Sequence, residues 1–405
     1  MRIAVVSPFL DRRHGAERCV VEQIEYFCQQ KGSEIHIYSQ SVQDLEVVRY
    51  SPRHHSAEPS RRPIWHRLPS PPGPHLFNFV WWFFTNTLLR WYHRAFCSLS
   101  YDVVYSPGIN CPDADAIVVH VVFHELLRHV RESLRLRSTP FRSWPATIHR
   151  NLYYRLIMFL EVLIYRKPKL QLAAVSKLTA RELSQTARRD DITVIPNAVD
   201  GAKFNLDERL RRRREARAAF HFQDSDFVLL LIGNGWKNKG LHTLLEALGI
   251  LRFSTLKLLV VGRDDQTPFQ MQLRKLQIVS QVIFVQPSAD VLRFYAAADA
   301  YSGPSLHDSF ALPPLEAMAS GLPVITSAQN GGSQIITDGV DGFILNDPVD
   351  STRLAEIIRN LAEHPALCRE IGAKAASTAN SYTWERNASE TWSFVSKACG
   401  ASNSD

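Results

Sequence analysis

Short apolar runs rich in β-branched residues alternate along the chain with longer stretches whose apolar positions recur at helical spacing. The first series reads RIAVVSP, a helical pattern from Ala16 to Lys31, EIHIYSQ, DVVYSPG, AIVVHVV, LQLAAVS and DITVIPN. A second series begins at DFVLLLIGNG and continues through LKLLVVGR, VIFVQP, DAYSGPS, LPVITSA and GFILN, with helix-length segments between the runs. Alternation of this kind predicts parallel sheets covered by helices, and two series predict two doubly wound α/β domains. Pro196, Asn197 and Gly201 punctuate the segment VIPNAVDGAKFN between them, which places the linker there. The expected boundaries are 1–200, 201–381 and a last helix, 382–405, that carries Trp384 and Trp392 and returns to the first domain. Open α/β sheets bind ligands beyond the carboxyl ends of their strands, so two of them facing a central cleft would place the chemistry there.

One insertion departs from the alternation. Residues 76–99 read LFNFVWWFFTNTLLRWYHRAFCSL after a Pro-rich PSPPGP. Its uncharged part, Leu76 to Leu89, falls short of the ~20 residues needed to cross a bilayer. Two readings stay open: a helix buried in the first domain, or an interfacial helix with Trp81, Trp82 and Phe84 in lipid and Arg90 and Arg94 at headgroups.

Composition narrows the classes. With 405 residues, 45% apolar and 21% charged, the chain supports two cores and argues against disorder. Cys19, Cys28, Cys97, Cys111, Cys368 and Cys399 form no CxxC pair and no Cys/His ligand spacing, as expected of a reducing, cytoplasmic setting. The opening MRIAVVSPFL reads as a first strand and not as an export signal. A net charge of +7 suits acidic partners such as nucleotides or an anionic membrane surface. No recognition motif for nucleic acid accompanies that charge, so none is expected as a partner. The cationic run around Arg209 and Arg211 to Arg214 reads as a solvated helix face.

The most specific segment is PSLHDSFALPPLEAMASGLPVITS. After a strand come Asp308 and Ser309, then Pro313 and Pro314, which suit a first helical turn where a missing N–H costs little. Backbone N–H groups across Ser309, Phe310, Ala311 and Leu312, with the positive end of the helix dipole, can bind a diphosphate. Glu316 in the following turn can accept two hydroxyls of a ribose diol. Alternatively, Glu316 complements the helix dipole and Asp308 caps the helix. A second segment, LLLIGNGWKNKGLHTLLEAL, makes a Gly-rich strand-to-helix turn that is neither a GxGxxG fingerprint nor a Walker loop. Gly15 lies between the first strand and a helix, and His120 ends the strand AIVVH, with His124 one turn on.

The first of these segments closely resembles the E-x7-E signature of the family 4 retaining glycosyltransferases. Its ending is carried by Glu316, Ala317, Met318, Ala319, Gly321, Pro323 and Val324, while Asp308 stands where the family has its first Glu, beside the transferred sugar. The second segment is similar to the family's G-x-x-x-x-x-K-G turn. Gly233 opens it, Lys239 matches the Lys that neutralises the leaving diphosphate, and Asn234 stands at the usual Arg position. Lys237 or Arg263 then remains to supply a second cation. The loop at Gly15 is similar to the family's GGAER loop, with His14 for the first Gly, and His120 matches a His that contacts the transferred sugar. Ser176 and Asn197 match further positions, read here as hinge and turn chemistry.

The resemblance covers nearly all of the second domain and only these few points of the first. It implies the GT-B fold: α/β, two Rossmann-like doubly wound domains facing a central cleft. It further implies retaining transfer of a hexose from a nucleoside diphosphate sugar, a UDP-sugar before GDP-mannose, to a glycan or glycolipid acceptor, as in lipopolysaccharide-core hexosyltransferases. No metal and no cofactor is implied. His120, Lys239 and Asp308 are the catalytic candidates. Gly15, Gly233, Asn234, Lys237, Arg263, Ser309, Phe310, Ala311, Leu312 and Glu316 are the donor-binding ones. An epimerase on the same fold, or a nucleotide-binding protein that has lost catalysis, is the alternative; Asp308, Asn234 and His14 favour the second of these.

Overall fold

The computed structural model describes residues 1–50, 62–130 and 144–402. They form two compact units, Met1–Pro196 with Trp384–Asp405, and Asn197–Thr383.

The first unit runs β1 (Arg2–Val6), β2 (Phe9–Leu10), α1 (Gly15–Gln29), β3 (Glu34–Ser39), β4 (Ser41–Val42), β5 (Val48–Arg49), β6 (Ile64–Arg67) and α2 (His75–Phe96). It continues through β7 (Val103–Ser106), β8 (Ala116–Val119), α3 (Phe123–Val130), α4 (Trp144–Tyr165), β9 (Gln171–Ala174), α5 (Lys177–Ala187) and β10 (Ile192–Val194). Eight strands pair in the order β10-β9-β8-β7-β1-β3-β6-β5, with β1 parallel to both β3 and β7. Such a sheet is covered on both faces, which is why Ile3 to Val6 and Ala116 to Val119 are apolar without alternation and nearly fully buried.

The second unit runs α6 (Leu206–Ala219), β11 (Phe227–Ile232), α7 (Leu241–Leu251), β12 (Leu256–Val261), α8 (Thr267–Leu276), β13 (Val282–Val285) and α9 (Leu292–Ala297). Then follow β14 (Ala300–Gly303), α10 (Leu312–Ala319), β15 (Val324–Ser327), β16 (Phe343–Leu345), α11 (Ser351–Glu363) and α12 (Pro365–Ala379). Six parallel strands take the order β13-β12-β11-β14-β15-β16. The chain ends in α13 (Trp384–Ser402), a helix of the first unit. There Gln23 Nε2 donates to Asn387 Oδ1 at 2.9 Å, and Trp392 packs on Phe27.

Two features differ from what the sequence suggests. In α2, Trp82 is 2% exposed and Arg90 is 4% exposed and ion-paired with Asp113, so neither is available to lipid; Trp81 and Phe84 do face outward. A guanidinium among apolar residues reads as a surface group until a carboxylate from another loop is seen beside it. In α6, the spacing of Arg209, Arg213 and Arg217 puts all three on one face, turned inward. Arg213 and Arg217 pair with Asp299, and Arg209 and Arg217 are buried, while Arg211 stays on the solvated side with Glu208.

A polar cluster lies inside the first unit between β3, β6 and α2. His36, His66 and His93 are all buried there. His36 Nε2 faces Glu34 Oε1 at 2.9 Å and its Nδ1 faces His66 Nε2 at 2.8 Å. The carboxylate accepts, so His36 donates through Nε2 and accepts at Nδ1, and His66 donates through Nε2. That leaves His66 Nδ1 buried with no protein partner. Burial, with the nearby His36 and His93, pushes the His66 imidazolium down to about 2, from an ordinary 6.5.

The unfolded chain therefore takes up a proton near pH 6.5 that the folded chain refuses, and stability is lost as the pH falls below that value. In His66→Gln, the fall of unfolding free energy between about pH 6 and pH 4 is expected to be shallower by about one proton, or roughly 1.4 kcal/mol per pH unit. Urea unfolding across that range measures it, and an unchanged slope contradicts a neutral buried His66.

Candidate functional site

In the second unit the sheet order reverses at its centre. From β11 the chain moves outward to β12 and β13, then crosses back so that β14 lies on the other side of β11. The loops leaving β11 and β14 therefore depart in opposite directions, and such a switch point opens a crevice at the carboxyl ends of the strands.

The turn after β11 passes through Gly233, Gly235 and Gly240, at φ +124°, +76° and +80°. Gly240 is also a point of close approach, since a Cβ there would lie 2.1 Å from the Pro304 carbonyl oxygen. No other residue satisfies both conditions. Buried Trp236 anchors the turn: its backbone N–H donates to Asp264 Oδ2 at 2.6 Å, and its ring packs on Phe284 and Phe269. Leu306 N–H donates to the Asn238 carbonyl at 2.7 Å, and Asn238 Nδ2 donates to the His307 carbonyl at 2.6 Å. These bonds hold the turn beside the loop that follows β14.

Lys239 and Asp308 meet in this arrangement as a direct ion pair between side chains only 12% and 19% exposed. Glu316 lies in α10, where its Oε2 accepts from Tyr295 Oη at 2.7 Å. Tyr301, within β14, has its phenol pushed up by burial and then by the charges of Asp308 and Glu316. Lys239 and Asp308 are thus brought together beyond the end of β14, and Glu316 follows in α10, the helix that this loop enters.

The loop before α10 is braced from below. Buried Asn330, just after β15, accepts through Oδ1 from Ala311 N–H at 3.3 Å and from Gly332 N–H at 3.0 Å. Its Nδ2 donates to Thr326 Oγ1 at 3.1 Å. The N–H of Ala311 is thereby committed, and Pro313 and Pro314 have none. Among the described residues, Phe310 and Leu312 keep N–H groups without a protein acceptor near the start of α10, and Ser309 has other contacts. Asn234 accepts from Arg263 N–H at 3.0 Å, so Arg263 stands at the same sheet end. Arg263, Asn234 and Lys237 are all exposed.

In the first unit, Gly15 is the first residue of α1 and its backbone does not need glycine. Asp11 Oδ1 holds the preceding loop by accepting from Arg13 and His14 N–H at 2.8 and 2.9 Å. Burial would raise the Asp11 carboxyl, and the bonds from His14 and Arg13 outweigh it and bring it below its usual range.

His120 follows β8 and lines a cavity of about 400 Å3 with Asn78, Phe79 and Trp82 of α2 and Tyr153 and Ile157 of α4. Its Nε2 is enclosed with no protein partner, and burial pushes the imidazolium down to about 4. His124 turns to Glu161, whose buried carboxylate also accepts from Phe123 and His124 N–H at 2.7 and 3.1 Å. His124 is therefore a helix-start contact.

Sequence reasoning missed Asn330, Asn238, Tyr295 and Tyr301. An Asn-Gly-Gly triplet directly after a strand was a usable turn signal for Asn330. For the others nothing local gives notice.

Two family profiles match the chain: the one described as Glycosyltransferase Family 4 over residues 13–203, and the one described as Glycosyl transferases group 1 over residues 212–378. The lipopolysaccharide glucosyltransferase WaaG of Escherichia coli is 35% identical over 136 residues, 33% of this chain and 36% of that protein. The putative glycosyltransferase EpsD of Bacillus subtilis is 28% identical over 181 residues, 44% of this chain and 47% of that protein. The chain thus spans between a third and a half of the length of these curated relatives. The crystal structure of WaaG, described as involved in lipopolysaccharide biosynthesis, superposes with a TM-score of 0.71 at 18% identity, covering 97% of this chain and 99% of that one. HepE of Anabaena, solved with UDP and glucose, superposes with a TM-score of 0.67 at 16% identity, covering 98% and 100%. At these identities the structural likeness establishes the fold, which is GT-B.

Removing Asn330 tests the bracing. Asn330→Ala strips three hydrogen bonds from buried groups, each contributing about 1 kcal/mol, so unfolding in urea should show a loss of roughly 2 to 4 kcal/mol. A loss below about 0.5 kcal/mol, within the range of an ordinary surface change, contradicts the role.

Proposed function

We propose, for a chain that belongs to the family 4 glycosyltransferases of GT-B fold, that it transfers a hexose with retention from a UDP-sugar to a glycan or glycolipid acceptor. The observation that carries this reading is the Lys239–Asp308 pair at the switch point, with Glu316 in the helix that follows.

A cation at the carboxyl ends of the strands is placed to meet a diphosphate. In the protein without substrate, Asp308 neutralises it. An arriving diphosphate would take over Lys239 and release the Asp308 carboxylate toward the sugar hydroxyls. Lys239, with the N–H groups of Phe310 and Leu312, then stabilises the charge that grows on the diphosphate as the glycosidic bond breaks. Retention follows if the acceptor hydroxyl attacks the face the diphosphate leaves and gives its proton to a diphosphate oxygen. Asp308 has one methylene fewer than Glu, so in this reading its reach toward the sugar depends on leaving Lys239. In the first unit, His120 stays neutral above about pH 4, the form in which its ring can both donate to and accept from a hydroxyl.

Glu316 tests the donor side. Glu316→Gln removes the charge and keeps an oxygen for Tyr295 Oη, so the fold should be little disturbed. Hydrogen bonds to a charged acceptor contribute about 1.5 to 3 kcal/mol, so calorimetric titration should show UDP binding weakened on the order of 10- to 100-fold. Unchanged affinity with a lowered melting temperature would remove Glu316 from the site and leave it a partner of the helix dipole.

A further inference from the structure

The first unit carries an exposed apolar surface to which the proposed chemistry assigns no residue. Along α2, Phe77, Trp81, Phe84, Leu88 and Trp91 face outward at steps of four, three, four and three residues, the spacing of one helix face. Leu88 and Trp91 are each 61% exposed. On α4, Ile148, Leu152, Phe159 and Leu163 repeat the pattern, and Phe159 is 62% exposed.

The two stripes belong to one side of the unit. Trp82 and Phe83 of α2 and Ile157, Leu160 and Ile164 of α4 lie in the same buried cluster, so both helices cover one core and present their other faces to solvent. The start of α2 touches α4: Leu76 N–H donates to His149 Nε2 at 3.0 Å, and the Tyr153 ring packs on His75 and Phe79. Isolated exposed apolar residues need no explanation, but a continuous face of nine does.

Charge selects the occupant. α2 contains no Asp or Glu, and the single acid of α4, Glu161, is buried. Arg94, Arg150 and Arg155 are exposed on the same two helices, and exposed Arg166 directly follows α4. An apolar face with Trp among its members, arginines around it and no exposed carboxylate on either helix matches the water–lipid boundary of an anionic bilayer; exposed Asp113, beside α2, is neutralised by Arg90. Phe and Leu enter the acyl region there, indole rings sit at headgroup level, and guanidinium groups meet phosphate. A second copy of the chain would set like charges against each other. Among the described residues no helix is long and apolar enough to cross a membrane.

We propose that the α2–α4 face docks the protein peripherally on an anionic phospholipid surface. α4 thus joins a surface for which the sequence offered α2 alone. The docking stands apart from the transfer chemistry and is tested without it.

Flotation of the full-length protein with vesicles of phosphatidylcholine, and of phosphatidylcholine mixed equally with phosphatidylglycerol, reads it directly. Wild type should float with the anionic vesicles and less so in high salt. The triple variant Phe84→Ser, Leu88→Ser, Phe159→Ser should lose vesicle binding by about tenfold or more with its melting temperature retained. Arg94→Ser with Arg155→Ser, which leaves the apolar contacts in place, should remove mainly the salt-sensitive part. Equal flotation of wild type and triple variant, absence of flotation by wild type, or a wild-type dimer in light scattering that the triple variant dissolves would each overturn the proposal.

Discussion

The contact between Lys239 and Asp308 exists because β14 returns to lie beside β11. Without that reversal, the loop after β14 would follow its neighbours along the sheet edge and the two side chains would not meet. Three glycines at positive φ are the cost of turning the chain sharply enough after β11, and Gly240 must also lie against Pro304 without a side chain. Two charges at 12% and 19% exposure are expensive to leave unpaired, so they neutralise one another until something more strongly anionic arrives. The proposed chemistry of the second unit depends on this poised pair.

One structural device recurs at the loops that leave the strand ends. A buried or half-buried polar side chain accepts from two backbone N–H groups and so sets the direction in which the chain departs. Asp11 does this for Arg13 and His14, Glu161 for Phe123 and His124, and Asn330 for Ala311 and Gly332. Each bond contributes modestly, but an unsatisfied buried N–H is costly, so the arrangement holds its loop in one geometry. Loops pinned in this way can present functional groups without depending on a ligand to order them.

Much of the fold was legible because parallel strands buried on both faces leave an unmistakable apolar run, as in FVLLLI and LKLLVV, and because Gly and Pro mark the turns between them. Lys239, Asp308 and Glu316 were legible as spacing within two segments. What was not legible depends on contacts made at long sequence separation. Asn330 meets a loop about twenty residues earlier, and Tyr295 meets Glu316 from a different helix. Arg90 looked like a headgroup ligand because its partner, Asp113, lies on a loop that follows another strand. The inward face of α6 was hidden for the same reason: Asp299 lies more than eighty residues away.

The central claim is that the switch-point crevice of the second unit holds a diphosphate through Lys239. The most direct measurement compares the affinities of UDP and of uridine for the wild type and for Lys239→Met. Removing one charge-assisted contact to a phosphate, with Asp308 left unneutralised beside the ligand, should weaken UDP by about 10- to 100-fold and change uridine by less than about twofold. Equal losses for both ligands, or no loss for UDP, would contradict the account, because Lys239 would then be holding the loop and not the phosphates.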